Sequence, residues 1–206
     1  MSADPRRGDA SAAPAGFSLN LPDNWFEVDV RPATRDASIR LLVESRVRDQ
    51  PELWEHRAEL TRLLRRQARD AAEAGAVYCA CFVLVVREMI IPGSLTITLL
   101  PSPPAGTSPD GIAELLPAKE ATEDGGTWST RSLVDVPGLG RVARSHGVTD
   151  VELPGGWVRT ILAQTFVPLD DGRLLMVSAA SPALDLADPL LELFDVVADT
   201  LRLVRV

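Results

Sequence analysis

The second half of the chain alternates between apolar and polar residues, which is the pattern of strands with one buried face. We predict strands over residues 129–136, 141–148, 157–167 and 173–180. Two turn motifs separate the last three of these segments, namely Pro154-Gly155-Gly156 and Asp170-Asp171-Gly172. Such turns join adjacent antiparallel strands, so this part of the chain is predicted to form hairpins.

The first half mixes strand and helix patterns. Short strands are predicted over 17–21, 25–30 and 95–100, and helices over 33–48 and 51–74, with a further helix starting at Asp188 and a break at Pro92-Gly93. Segment 76–87 is apolar on both faces, which is typical of a central strand covered on both sides. We expect Cys79, Cys81, Val83 and Val85 to be buried on one face, and Phe82 and Leu84 on the other.

This order of elements predicts an α+β fold, with an antiparallel sheet and helices packed on it, rather than a parallel βαβ fold. Residues 1–15 have no periodicity and are predicted to be a disordered tail. Residues 16–206 are predicted to form a single α+β domain. A long loop over 101–127 interrupts it and carries one short helix that begins near Ser108-Pro109.

The chain is acidic, with a formal net charge of −8 over 206 residues. That balance opposes nucleic-acid binding and adhesion to anionic membranes. The longest apolar run, residues 77–86, is shorter than the roughly 20 residues that a membrane helix needs, so we expect no membrane insertion. The N-terminal residues contain no apolar segment of the kind found in secretory signals, and a cytoplasmic location is therefore expected.

The sequence contains no recognisable catalytic motif, and neither a catalytic residue nor a cofactor is predicted. Cys79 and Cys81 could form half of a zinc site, but the second ligand pair that such a site needs is missing. We therefore expect both cysteines to be core residues and predict no metal. The motif Gly138-Leu139-Gly140 lies between two predicted strands and is interpreted as a turn.

Two sets of side chains are candidate binding residues. Arg144, His146 and Arg159 could form a polar strip on the sheet that holds an anionic ligand. The alternative, which we favour, is the solvated face of a one-sided antiparallel sheet.

The second set is an arginine stripe at helical spacing, made of Arg62, Arg65, Arg66 and Arg69. It could dock an acidic partner, or it could be an ordinary solvated helix face. An acidic stripe on the last helix is formed by Asp188, Glu192, Asp195 and Asp199. The two stripes could meet within one chain or across a dimer.

The segment FSLNLPDNW, residues 17–25, resembles the opening of the Mog1/PsbP-like superfamily. Residues 174–203 are also similar to that group, with a hairpin strand, a break at Ser181-Pro182 and a final amphipathic helix. The whole chain resembles a loosely defined set of actinobacterial proteins of this type. The resemblance implies a Mog1/PsbP-like fold and a role in binding or assembly, and it supplies no catalytic residues.

Three classes of function follow from these observations. The first, which we favour, is a non-enzymatic interaction protein: an adaptor, chaperone or assembly factor, for example one linked to a secretion system. Its partner is expected to be another protein or a second copy of the chain. The second is a small-ligand-binding domain that uses a cavity between sheet and helices. The third is an enzyme without a recognisable motif.

Overall fold

The structure is a computed structural model that describes residues 16–86, 89–104, 106–121, 126–153 and 156–204. The tail predicted over 1–15 lies outside the described residues, as do Pro154 and Gly155 of the first predicted turn. The side chain of Val85 is likewise not described, so its predicted burial is not tested.

Within the described residues, nine strands form two antiparallel sheets. Their bounds are β1 Gly16–Ser18, β2 Trp25–Glu27, β3 Ala76–Val86, β4 Met89–Leu100, β5 Trp128–Val136, β6 Gly140–Leu153, β7 Gly156–Pro168, β8 Leu174–Ser181 and β9 Arg202–Val204. The main sheet has seven strands in the order β2-β3-β4-β8-β7-β6-β5, and β1 pairs with β9 in a small second sheet. Each neighbouring pair is antiparallel, which confirms the predicted α+β class.

The part of the chain that the structure describes contains four α-helices, which pack on this sheet: α1 Arg35–Asp49, α2 Arg57–Glu73, α3 Pro109–Leu115 and α4 Ala187–Asp199. The helix predicted over 51–74 starts later than expected. Pro51–Leu53 forms a separate 3-10 turn, and α2 begins only at Arg57. Gly75 follows α2 with a positive φ of 76°, a conformation that glycine adopts without strain and that ends the helix.

The helices lie on opposite faces of the main sheet. One face, which we call the hairpin face because the α1–α2 helical hairpin lies on it, has these two helices over β2 and β3. There Leu64 packs in one cluster with Cys79 and Cys81. On the other half of this face, α3 packs in a cluster with Phe166. The opposite side, the α4 face, buries Phe82 and Phe194 in the largest cluster. Because side chains alternate along a strand, β3 contributes to both cores.

β3 is covered on both faces, as predicted, but it is not central. Only the short strand β2 lies outside it, so β3 is next to the edge of the sheet. Cys79 and Cys81 are buried, at 2% and 1% exposure, and Phe82 is buried on the other face, as predicted. Val83 and Leu84 are only half-buried, because the helical cover thins towards that end of the strand.

The break predicted at Pro92-Gly93 is wrong, since both residues lie within β4. β4 pairs with β8 only from Ser94 onward. The missing N–H of Pro92 therefore removes no hydrogen bond between these two strands. Gly93 is required by packing, because a Cβ atom there would lie 2.1 Å from the ring of Phe82. Pro92 and Gly93 therefore belong to a closely packed strand and not to a turn.

The short helix predicted in the long loop is present as α3. The Ser108 side chain caps it by accepting a hydrogen bond from the backbone N–H of Gly111 at 3.2 Å. The turn predicted at Asp170-Asp171-Gly172 is also present, with Gly172 at a φ of +83°.

Candidate interaction surface

The outer side of α2 carries the predicted arginine stripe, which we call the arginine face: Arg62, Arg65, Arg66 and Arg69. All four side chains are exposed. The opposite side of the same helix buries Leu60 and Leu64. The spacing explains the arrangement, since residues three and four apart share one side of an α-helix. The outward orientation that the sequence predicts is therefore what the structure shows.

The fold itself makes little use of these arginines. Arg65 Nε lies 3.3 Å from Asp36 Oδ1 of α1, and Arg69 Nε lies 3.8 Å from Asp70 Oδ1. Arg62 Nε donates a long hydrogen bond of 3.4 Å to the carbonyl oxygen of Ala58. The guanidinium of Arg66 has no ion-pair or hydrogen-bond partner among the described residues. Exposed pairs of this kind contribute at most about 1 kcal/mol each.

A cleft separates α2 from the neighbouring ends of β3 and β4. It encloses about 350 Å³, and its apolar lining is Leu53, Leu60, Leu63, Val83 and Pro92. Arg62, Arg66, His56 and Glu59 complete the lining. The sequence predicted the two arginines but not the cleft, because the cleft depends on how α2 sits on the sheet.

An open groove of about 470 Å³ runs between α1 and α2 on their outer side. Four arginines line it: Arg40, Arg57, Arg62 and Arg65. Glu44 is the one acidic residue in its lining, and Val43 and Ala58 contribute apolar surface. The sequence did not indicate that Arg40 and Arg57 line a common groove, because the groove forms only when α1 packs beside α2.

Arg57 is held in place by Trp54. Its guanidinium lies 4.3 Å from the centre of the Trp54 ring, and Nη1 donates a 2.9 Å hydrogen bond to the Trp54 carbonyl oxygen. Stacking of this kind orients the guanidinium while leaving its other donors available.

Arg144 and His146 lie together on β6, but under α4. Arg144 is 4% exposed, and its guanidinium lies 3.3 Å from Asp195 Oδ2 and 2.5 Å from Asp199 Oδ1. Its Nε donates to Thr165 Oγ1 at 3.1 Å, and His146 Nε2 lies 2.7 Å from Asp195 Oδ1. The expectation of a solvated sheet face is therefore wrong here, because α4 covers it and matches its charges.

Arg159 shares that sheet face but lies apart from the other two residues. In the register of β6 and β7, His146 is opposite Ala163, whereas Arg159 is opposite Asp150. Arg159 Nε lies 2.8 Å from Asp150 Oδ1, and this hydrogen bond lowers the pKa of Asp150. The three residues proposed as one ligand strip thus form two separate clusters, each with carboxylates of its own.

The two charged stripes do not meet within the chain. The arginine face belongs to the hairpin face of the sheet, and α4 lies on the other side. Asp195 and Asp199 point inward to Arg144, whereas Asp188 and Glu192 are exposed. Only contact between two molecules could therefore bring the exposed acids of α4 to the arginine face.

The cysteines are enclosed beneath α2. Cys81 Sγ donates a hydrogen bond to Gln67 Oε1 of that helix at 3.1 Å. The pKa of Cys81 lies well above its ordinary value because of a hydrogen bond with Cys79 and because burial disfavours the thiolate. An unreactive core thiol is the expected consequence.

Two kinds of feature are absent from the part of the chain that the structure describes. It holds no group of three or more histidine, cysteine, aspartate or glutamate side chains placed to bind a metal ion. Within the same residues, no helix is both long and apolar enough to cross a membrane.

Comparison with known proteins finds similarities to solved structures. The solution structure of cyanobacterial PsbP (CyanoP) from Synechocystis sp. PCC 6803 matches over 98% of this chain and 98% of that chain, with 14% sequence identity and a TM-score of 0.42. No protein-family model matches the chain, and no curated protein matches its sequence. A similarity at this level carries no information about function.

Proposed function

We propose that this chain is a non-enzymatic interaction protein that binds an acidic protein surface through the arginine face of α2. The observation that carries the proposal is a row of four exposed arginines, of which Arg62 and Arg66 have no acidic partner among the described residues. The clearest case is Arg66, which has no partner among the described residues. A planar guanidinium with five donors suits the carboxylates of a protein partner.

Arg62 and Arg66 differ in this respect from two exposed arginines elsewhere in the molecule. Exposed Arg141 and Arg173 each lie within ion-pair distance of an aspartate, at 3.3 Å and 2.6 Å respectively. The formal net charge is −8, so carboxylates outnumber cations in this protein. Acidic partners for the arginines of α2 were therefore not in short supply. Cations left without partners in an acidic protein support a role in recognition.

We also propose a biological role for this surface. An adaptor, chaperone or assembly factor in the cytoplasm, for example one serving a secretion system, would use such a surface to hold a client or a partner. These assignments rest on charge and on the resemblance of residues 17–25 to a superfamily of binding and assembly factors. The actinobacterial origin implied by that resemblance likewise stays a prediction.

The test is a differential capture from native lysate. The immobilised wild-type protein is compared with the triple reversal Arg62→Glu, Arg66→Glu and Arg69→Glu, and bound proteins are identified by mass spectrometry. A control with the same change in net charge carries Arg141→Glu, Arg159→Glu and Arg173→Glu.

The proposal expects proteins that are retained by the wild type and the control but lost from the triple reversal. Circular dichroism should show that the reversal still folds. Identical sets of bound proteins for all three baits would mean that the arginine face is an ordinary solvated helix surface.

A second candidate function is favoured by the cleft between α2 and the sheet. Its volume of about 350 Å³ falls in the range of small-molecule sites. An apolar floor below Arg62 and Arg66 suits a small carboxylate with an apolar body. A thermal-shift screen of aromatic and aliphatic carboxylates tests this function. A stabilising compound should lose its effect in the Arg66→Gln variant, and a screen without a stabilising compound would contradict this candidate.

A further inference from the structure

The outer side of α4 is acidic. The helix contains no lysine or arginine. Its exposed ridge consists of Asp188, Glu192 and Val196, four residues apart, and Val196 is 59% exposed. Residues spaced by four share one side of a helix, so this ridge combines two carboxylates with one apolar side chain.

The groove between α1 and α2 has the complementary composition. Arg40, Arg57, Arg62 and Arg65 surround apolar surface from Val43 and Ala58, with Glu44 as the one acid in the lining. Along α2, Arg57 and Arg65 are eight residues apart, which is about 12 Å at the helical rise. The ridge from Asp188 to Val196 has the same spacing and therefore the same length.

We infer that the outer ridge of α4 docks into the α1–α2 groove of a second copy of this chain. The inference rests on the proposed function, because it uses the same arginines and names their acidic partner. Asp188 and Glu192 meet the guanidinium groups, and Val196 covers the apolar floor. Charge complementarity selects α4 over α1 and α2, which themselves carry many arginines. The other acidic helix, α3, has only seven residues, and its Asp110 already lies 3.3 Å from Arg141.

The geometry fixes the type of assembly. The groove and α4 lie on opposite faces of the main sheet, so each molecule offers one of each and the contact is head-to-tail. Such a contact leads to rings or open chains of more than two molecules rather than to a symmetric dimer. A single helix in a groove buries less than the roughly 1,600 Å² of a stable interface, so the association is weak and depends on salt.

The experiment is sedimentation of the full chain over a range of concentrations, at low and high salt. The weight-average mass should rise above the 22.2 kDa of one chain with no plateau at a dimer. It should return to the monomer value at about 1 M salt, where the screening length falls to about 3 Å. A wild-type protein that stays monomeric at the highest concentration and lowest salt would overturn the inference.

Two variants and their mixture test the contact itself. Arg40→Glu with Arg62→Glu reverses the groove, and Asp188→Lys with Glu192→Lys reverses the ridge. Each variant alone should be monomeric, and an equimolar mixture should associate again, which also shows that both are folded. Arg141→Glu with Arg173→Glu, a control that carries the same charge change as the groove variant, should behave as the wild type.

Failure of this inference can be told apart from failure of the proposed function. If the wild type or the variant mixture fails to associate, but the α2 reversal loses its lysate partners, only the identity of the partner is wrong. If the ridge variant associates as strongly as the wild type, α4 is not the occupant of the groove.

Discussion

Two groups of arginines in this molecule have opposite environments. Arg144 lies beneath α4, almost fully buried, and contacts two carboxylates and a threonine hydroxyl. The arginines of α2 lie in water, and Arg66 has no partner in the described part of the chain. Beneath α4, arginine stabilises the packing of a helix on the sheet. On α2, arginine side chains stay exposed to solvent.

We interpret the difference as charge that stabilises the fold beneath α4 and, under the proposed function, charge that serves recognition on α2. A buried guanidinium is tolerated only when carboxylates and hydrogen bonds replace its water, and α4 supplies them. An exposed guanidinium contributes little to folding, so selection for stability does not explain a row of them. Each of the following variants tests one side of this contrast.

The largest effect is expected beneath α4. Replacing both Asp195 and Asp199 with alanine leaves the buried Arg144 without a carboxylate, and the free energy of unfolding should fall by about 3–5 kcal/mol. Urea unfolding followed by circular dichroism measures it. The control Asp188→Ala with Glu192→Ala removes two exposed acids from the same helix and should cost no more than about 1 kcal/mol. Equal losses of unfolding free energy in the two double variants would refute the stabilising role of the Arg144 ion pairs.

A second prediction compares the two sides of α2. Leu64 is 1% exposed, and Leu64→Ala should lower the free energy of unfolding by about 2–5 kcal/mol through lost contacts and a cavity. Arg66→Ala, two residues away, should stay within about 0.5 kcal/mol of the wild type. Urea midpoints of the two variants give both values. A large loss for Arg66→Ala would place that side chain in the structure rather than in recognition.

Part of this contrast could be predicted from the sequence. The spacing of Arg62, Arg65, Arg66 and Arg69 places them on one side of a helix, and the apolar residues between them place that side outward. Alternation along 129–180 likewise predicted the hairpin strands, because their pairing is local. These predictions hold because neighbours in space are also near neighbours in the chain.

The remaining features depend on contacts between distant segments. Asp199 lies 55 residues from Arg144, and no local pattern indicates that α4 covers that strand. For the same reason Arg40 and Arg57 were missed at the groove, since the packing of α1 beside α2 brings them there. Pro92 and Gly93 were interpreted as a break, because β8 is remote in sequence and because the contact of Gly93 with the Phe82 ring depends on the register of β3 and β4.

A smaller effect is expected for the thiols beneath α2. Because its pKa is raised, Cys81 stays protonated as the pH rises from 7 to 9, where an exposed thiol near pKa 8.5 becomes a reactive thiolate. Labelling by a disulfide reagent should therefore be slow throughout this range in the folded protein and fast in urea. Any stability that the protonated thiol contributes is present below the unfolded pKa and declines above it. Rapid labelling of both cysteines in the folded state would contradict the enclosed core beneath α2.

The most direct test of the account compares three exposed arginines with one buried arginine in a single unfolding experiment. The triple variant Arg62→Gln, Arg66→Gln and Arg69→Gln should lose no more than about 1 kcal/mol in total, because solvated pairs contribute little. The single variant Arg144→Gln should lose more, about 2–4 kcal/mol, because it leaves Asp195 and Asp199 unmatched beside the core. A triple variant that loses more stability than Arg144→Gln would show that the fold depends on the arginine face, and would contradict its assignment to recognition.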